Sequence, residues 1–177
     1  TYDDIVIDEG DSSATAKGNW SRSGASGAYG GVSLYSRDTT ATYTFQAQTS
    51  GTYEVSLWWT QLSSRAEKAP VKIYDGSSLL KTVYVNQRID GSQWNVMGTF
   101  QFSSYPKVVI VSTGDGSTCA DAVWFRFISD NTPPSAYIDT ITPNPAEPGQ
   151  AVQFSGHGTD NEGSIAAYQW ESNIDGP

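Results

Sequence analysis

The fold of this chain is decided by one stretch, GTYEVSLWWT at residues 51–60, in which apolar and polar side chains alternate. Successive side chains of a β-strand point to opposite faces, so a period of two predicts a strand that buries one face. The set predicted to face the core is Tyr53, Val55, Leu57 and Trp59. The opposite set is Glu54, Ser56, Trp58 and Thr60. One large aromatic side chain, that of Trp58, is therefore predicted to lie away from the core.

The same alternation recurs on both sides of this stretch, and helical periodicity is absent from the chain. Strands are predicted at residues 5–8, near Trp20, and at 41–47, 71–75, 79–85, 96–102, 107–112 and 120–128. Many short strands separated by turn residues are typical of sandwiches and jelly rolls. The fold class is therefore predicted as all-β, with a jelly-roll-like β-sandwich over residues 1–130. The Gly- and Ser-rich residues 10–40 are predicted to be a functional or loosely ordered segment that aromatic residues pin to the sandwich.

A domain boundary is predicted at residues 131–135, because Pro133 and Pro134 disfavour both a helix and a central strand. Residues 136–177 are then predicted to be part of a second module, with strands at 136–141, 151–155 and 165–171. We expect the chain to be a piece of a larger protein.

The charge of the chain is negative and uneven. The formal net charge is −9, and residues 131–177 contain 6 of the 19 acidic residues and none of the 10 basic ones. Nucleic acids and anionic membranes are bound by basic surfaces, so neither is expected as a partner. No apolar run approaches ~18 residues, so membrane insertion is not expected either.

The single cysteine, Cys119, cannot form an internal disulfide and is expected to be a small buried apolar side chain. A small secreted eukaryotic domain usually carries cysteine pairs. One cysteine therefore favours a bacterial protein that is secreted, extracellular or on the cell surface, with a core large enough to do without disulfides.

Several separated motifs occur in a recognisable order. They are GNW at 18–20, GAYGG at 27–31, GTYEV at 51–55, VNQRIDGSQWNVMGTF at 85–100 and ADAVWF at 120–125. Together they resemble the golvesin C-terminal-like domain, which is also the carbohydrate-binding-like module of xanthan lyases. The resemblance spans residues 5–128, with Met97 where Leu is commoner, and it implies a β-sandwich accessory module.

The second segment resembles the start of a PKD domain, an Ig-like β-sandwich. The motifs that carry this resemblance are FSG at 154–156, GTDNEGSI at 158–165 and YQW at 168–170. Residues 136–177 would then supply the first half of a truncated Ig-like module, and a half-sandwich exposes apolar faces and strand edges. Such a segment is completed by another chain, packs on the first module, or marks the place where the sequence was cut.

Catalysis is not expected. The one histidine, His157, would have to serve any Ser-His-Asp arrangement, and the sequence brings no Ser and Asp to it. Phosphate loops, metal-protease helices and Cys-His metal spacings are also absent from the sequence. Most carboxylates stand in turns such as Asp75-Gly76 and Asp115-Gly116, which does not favour a glycosidase pair.

A saccharide site is predicted from aromatic rings that stand near planar polar groups, because sugars stack on such rings. The predicted ligand-binding residues are Trp58, Arg65, Gln87, Arg88, Gln93 and Trp94. The alternative is that Trp58 and Trp94 anchor loops and that Arg65 pairs with Asp90. A second candidate surface comprises Trp20, Tyr29 and Tyr35.

A structural calcium is the one cofactor that the sequence favours. In jelly-roll carbohydrate-binding modules a calcium often bridges the first and last strands through carboxylates and loop carbonyls, which suit Ca²⁺. The resemblance implies Asp8, Glu9, Asp11 and Asp121 as metal ligands. The alternative is that Asp8 and Asp11 cap turns and Asp121 accepts backbone N–H groups.

The predicted function is that of a non-catalytic accessory module of a larger secreted bacterial protein, which binds polysaccharide by aromatic stacking. The alternative is a structural or interaction module without a sugar ligand, such as a spacer or a cell-surface or filament component. Its partners would be neighbouring domains or chains.

Overall fold

The computed structural model describes residues 3–129, 134–160 and 164–169. The chain divides into two compact units, Thr1–Asp130 and Asn131–Pro177. Residues 131–133 of the predicted linker lie outside the described residues. No helix in the described ranges is long and apolar enough to cross a membrane.

The first unit contains short strands and one 3-10 turn, Tyr29–Gly31. In chain order the strands are β1 (Ile5–Asp8), β2 (Ala14–Lys17), β3 (Ser21–Arg22), β4 (Leu34–Ser36), β5 (Thr42–Gln46), β6 (Gly51–Trp58), β7 (Ala69–Asp75), β8 (Ser78–Val85), β9 (Asn95–Phe102), β10 (Pro106–Val111), β11 (Thr118–Ala120) and β12 (Ala122–Ser129). The predicted all-β class is confirmed.

Two antiparallel sheets build the sandwich. One has four strands in the order β1-β12-β6-β9, and the other has five in the order β2-β5-β10-β7-β8. A single core cluster joins their inner faces, with Val55 and Phe125 from the first sheet and Val71 and Ile110 from the second, all 0% exposed. A small third sheet, β11-β4-β3, lies within the same unit.

Strand β6 shows why the alternation at residues 51–60 decides the fold. The predicted inward set is buried, with Tyr53, Val55 and Leu57 at 0% and Trp59 at 4% exposure. Trp58 is only partly buried and lies on the other face, as predicted. A one-residue shift of pairing would turn all these side chains over, so the pattern fixes the register as well as the face.

In the first unit the structure differs from the predicted strands in two places. Strands β2 and β4 lie inside the Gly- and Ser-rich stretch, where no alternation was long enough to indicate them. The strand predicted at 120–128 is divided at Asp121, because β11 pairs with β4 whereas β12 pairs with β1 and β6. The chain thus changes sheets at a buried carboxylate.

The second unit contains an antiparallel pair, β13 (Ser135–Thr142) and β14 (Gln153–Thr159). The strand predicted at 165–171 is not formed over residues 164–169, and residues 170–171 lie outside the described part. Asp139 lies 2.8 Å from Nδ1 of His157, a partner that the sequence did not indicate, and the Tyr137 ring stacks on the imidazole at 4.9 Å. The resemblance to half a PKD domain stays a prediction.

Candidate functional site

The outer face of the four-stranded sheet carries a row of aromatic side chains. Trp58 on β6 lies opposite Ala122, and Trp124 on β12 lies opposite Ser56. Directly paired residues of antiparallel strands share a face, so Trp58 and Trp124 both point away from the core.

Two loops bring further rings onto this face. Trp94, just before β9, lies with its ring centroid 5.3 Å from Trp58 and 5.6 Å from Trp124. Tyr29, from the 3-10 turn, lies 5.2 Å from Trp94 and 5.7 Å from Trp58. We call Tyr29, Trp58, Trp94 and Trp124 the aromatic cluster. All four are partly exposed, and their tilted and edge-to-face contacts are geometries that aromatic pairs prefer.

Hydrogen bonds between side chains and the backbone hold the loop that carries Trp94. The amide of Gly91 donates to Oε1 of Gln61 at 2.9 Å, and Trp59 Nε1 donates to the Ile89 carbonyl at 3.0 Å. A Cβ at Gly91 would stand 2.6 Å from the backbone nitrogen of Gln61, so only glycine allows this approach. The loop that carries Trp94 is therefore held by the residues that directly follow β6.

The glycine-rich segment is held from the other side. Trp58 Nε1 donates to the Gly27 carbonyl at 2.9 Å. A Cβ at Gly27 would stand 1.9 Å from Oγ of Ser92, so the two loops touch directly. Residues 27–31 are thus attached to the outer face of the sheet beside the aromatic cluster. This agrees with the prediction that the Gly- and Ser-rich segment packs on the sandwich.

Three of the six predicted ligand-binding residues lie elsewhere. Arg65 and Gln87 are 1% and 0% exposed and do not join the aromatic cluster, which corrects their predicted place beside Trp58 and Trp94. Gln87 Nε2 donates to the Cys119 carbonyl at 2.9 Å, and its Oε1 accepts the Cys119 N–H at 2.7 Å. Arg88 is exposed but pairs with Glu67 at 3.3 Å, and its Nε donates to the Arg65 carbonyl.

The suggested Arg65–Asp90 pair is also wrong, because the Arg65 guanidinium bonds Thr60, Ser117 and Ser23 instead. Of the six, Trp58 and Trp94 contact each other, and exposed Gln93 adjoins Trp94 in sequence. Trp124 and Tyr29 complete the group. Trp124 belongs to the same alternating set as Ala122 and Arg126, which could have indicated its face. Only the fold brings Tyr29 across 65 residues to Trp94.

Next to the turn that carries Tyr29 lie three carboxylates. Asp8, Glu9 and Asp121 each offer an oxygen within 4.8 Å of the others, and we call them the carboxylate cluster. Pairing of β1 with β12 creates it, since Asp8 lies opposite Ala122. Asp11, predicted as a fourth ligand, is not part of it, because its Oδ2 accepts the Asp8 N–H at 2.8 Å and closes the turn.

Two oxygens of the carboxylate cluster are buried without a hydrogen-bond partner among the described residues, Glu9 Oε2 and Asp121 Oδ2. Asp121 is 0% exposed, and its Oδ1 accepts the Tyr29 N–H at 3.1 Å. Burial and the neighbouring charges of Asp8 and Glu9 raise the pKa of Asp121 to about 8. Burial and Asp8 likewise raise the pKa of Glu9 to about 8.

The turn over these carboxylates is closely fitted. A Cβ at Gly30, which has φ +59°, would stand 2.1 Å from Oδ2 of Asp8. Tyr43 adds a hydrogen bond from its hydroxyl to the Glu9 carbonyl at 2.6 Å. Orphaned buried oxygens that face one another fit a divalent cation, because each needs a positive partner that the protein does not supply.

Comparison with known proteins shows which family the first unit resembles. A family model described as the Golvesin C-terminal domain matches residues 5–127. A xanthan lyase of Bacillus sp. (strain GL1) is 30% identical over 134 residues, which is 68% of this chain and 14% of that protein. The structure of a Paenibacillus xanthan lyase has a TM-score of 0.66 at 26% identity, and covers 71% of this chain and 13% of that one.

A separate, smaller domain of known structure has the same fold over almost its whole length. The CBM36-1 domain of a multidomain xylanase, from the hindgut metagenome of Trinervitermes trinervoides, has a TM-score of 0.52 at 14% identity. The match covers 72% of this chain and 99% of that domain, and at this identity it shows the fold alone. The matched part of the chain thus corresponds to a small part of the xanthan lyases and shares its fold with nearly all of the CBM36-1 domain.

Proposed function

The chain belongs to the Golvesin C-terminal domain family over residues 5–127, and from this we propose that residues 1–130 are a non-catalytic polysaccharide-binding module of a larger secreted bacterial protein. The observation that carries the proposal is the aromatic cluster on the outer face of the four-stranded sheet. Four aromatic side chains that converge outside a core offer flat apolar surface to a sugar ring.

Trp94 is the centre of the proposed binding surface. Its ring contacts the other three members of the aromatic cluster, and exposed Gln93 stands beside it with a planar amide. Val96, 59% exposed, extends the apolar surface along β9. The Trp58 indole N–H is occupied by Gly27, so Trp58 contributes ring surface and support rather than a hydrogen bond.

We expect Trp94→Ala to weaken polysaccharide binding about tenfold, because a stacking ring contributes about 0.5–1.5 kcal/mol beyond the area that it buries. The measurement is affinity electrophoresis of the chain in gels that contain xanthan or neutral polysaccharides. Trp20→Ala is the matched control, since Trp20 is also partly exposed but packs on Tyr43, away from the aromatic cluster. Folded wild-type protein that binds none of the polysaccharides would overturn the proposal.

One observation favours the second candidate, a structural or interaction module. The Trp58–Gly27 hydrogen bond and the edge-to-face contacts pin the glycine-rich loop onto the sheet. If this is the whole role of the aromatic cluster, Trp94→Ala lowers the melting temperature and leaves retardation in every polysaccharide gel unchanged.

We further propose that the carboxylate cluster binds one Ca²⁺, held by Asp8, Glu9 and Asp121. Support comes from the two orphaned buried oxygens and from the oxygen-only ligand set, which suits Ca²⁺. The ion would have a structural role, because Tyr29 binds Asp121 through its amide and contacts Trp58 and Trp94 through its ring. It would thus hold the turn that completes the aromatic cluster.

Isothermal titration with Ca²⁺ is expected to show one site per chain and release of protons at pH 7. The reason is that the pKa values of Glu9 and Asp121 are about 8 without the ion, whereas bound carboxylates are ionised. The affinity should rise from pH 5 to pH 8 and level off above. Titration in two buffers of different ionisation enthalpy measures the protons, and binding without proton release contradicts this site.

A further inference from the structure

A cavity of the first unit lies apart from both clusters. It has a volume of about 270 Å³ and is lined by Ser23, Gly24, Ala25, Tyr35, Arg37, Leu62, Ser64, Arg65 and Ser117. Among these lining residues, all within the described ranges, two are arginines and none is acidic. A positive cavity is unexpected in a chain of net charge −9.

The wall of this cavity contains a buried cation. Arg65 is 1% exposed, and its guanidinium donates only to neutral oxygens: the Thr60 carbonyl and the hydroxyls of Thr60, Ser117 and Ser23. Within the described residues no carboxylate forms an ion pair with it. Asp121 interacts with Arg65 only at longer range. A buried charge without a counter-ion is costly, and an anion in the cavity would offset that cost.

The open side of the cavity offers donors that the protein does not use. Arg37 is exposed and, among the described residues, has neither an ion pair nor a hydrogen bond. Tyr35 presents an aromatic ring 5.7 Å from the Arg65 guanidinium carbon, and the hydroxyl of Ser64 lies on the same wall. A planar guanidinium can bind a carboxylate through two parallel hydrogen bonds. The hydroxyl groups and the aromatic ring beside it suit a small cyclic group that is attached to that carboxylate.

We infer that this cavity binds the carboxylate of an acidic sugar, with Arg37 as the direct partner of the carboxylate and buried Arg65 as fixed positive charge behind it. The inference rests on the proposed polysaccharide-binding function and names its ligand class as uronate-containing glycans. The volume fits one monosaccharide unit, and Tyr35 supplies the apolar surface that a sugar ring covers.

The test uses polygalacturonate for affinity and free D-galacturonate for location, with the whole chain. Arg37→Gln should weaken binding of polygalacturonate about tenfold, since it removes one charge-assisted contact. Arg22→Gln is the matched control, because Arg22 is an exposed arginine on β3 that does not line the cavity. It should change the affinity less than about twofold, the size expected of an exposed charge that is screened by salt and makes no direct contact with the ligand.

Free D-galacturonate should shift the amide resonances of Gly24, Ala25 and Ser64 saturably, and D-galactose should not. Equal losses in Arg37→Gln and Arg22→Gln would show general electrostatic attraction and overturn the inference. Equal shifts with galactose, or none with galacturonate, would overturn it too. Trp94→Ala separates the two proposals: unchanged binding of neutral polysaccharide in that variant counts against the aromatic cluster, while the galacturonate shifts still decide the cavity.

Discussion

Arg65→Ala is expected to lower the free energy of unfolding of the first unit by about 3–5 kcal/mol, a large part of what a domain has. The side chain is among the largest fully buried ones. Its removal leaves a cavity and deprives the buried Thr60 carbonyl and the buried Ser117 hydroxyl of a donor. Each orphaned acceptor costs about 1–3 kcal/mol, and the cavity adds its own penalty.

The loss should be large because Arg65 joins segments that are far apart in sequence. Ser23 and Ser117 are 42 and 52 residues away from it, and both bond its guanidinium. Arg65→Lys retains the charge but has no planar fork of donors, so we expect it to recover only part of the stability.

Urea unfolding followed by tryptophan fluorescence measures this change, since five of the six tryptophans belong to the first unit. Arg126→Ala is the control: Arg126 pairs with Glu54 at 3.0 Å, but 42% of its side chain is exposed. An exposed pair contributes at most about 1 kcal/mol. Equal destabilisation by the two substitutions would show that burial of Arg65 is not what matters.

Residues inside regular strands were predictable because their environment repeats every second position. The buried set on β6 and the outward position of Trp58 follow from alternation alone. Arg65 and Gln87 lie in loops, where no period applies, and polar residues there are usually exposed. Both are buried because distant partners satisfy their polar groups, Ser117 for Arg65 and Cys119 for Gln87. Such partners can be read only from the fold.

The carboxylate cluster was predictable only in part, because it combines neighbours in sequence with a residue from a distant strand. Asp8 and Glu9 adjoin in sequence, but Asp121 reaches them only through the pairing of the first strand with the last. The family resemblance implied that pairing, and the residues themselves did not. Asp11 was included because it is close in sequence, whereas its carboxylate turns back to the Asp8 N–H.

Saturating calcium is expected to raise the free energy of unfolding of the first unit by about 2.7 kcal/mol at one hundred times the dissociation constant. Chelation should remove this gain. Without calcium, the free energy of unfolding should fall as pH rises, whereas a salt-bridged carboxylate would make it rise. The folded pKa values of Glu9 and Asp121, about 8, exceed their ordinary values of 4.5 and 3.8. Bound protons therefore stabilise the fold fully below pH about 4, and this stabilisation is lost as pH rises through about 8.

Differential scanning calorimetry should thus show a melting temperature that falls from pH 5 to pH 8 in chelator and stays nearly level in calcium. Asp121→Asn should abolish the calcium response and reduce the fall in chelator to the part that Glu9 contributes, because asparagine has the same shape but does not ionise in its 0% exposed site. Asp11→Asn is the matched control and should retain both behaviours, since an amide oxygen can still accept the Asp8 N–H. A calcium gain that survives in Asp121→Asn would place the ion elsewhere. A calcium gain that is lost in Asp11→Asn would return Asp11 to the ligand set.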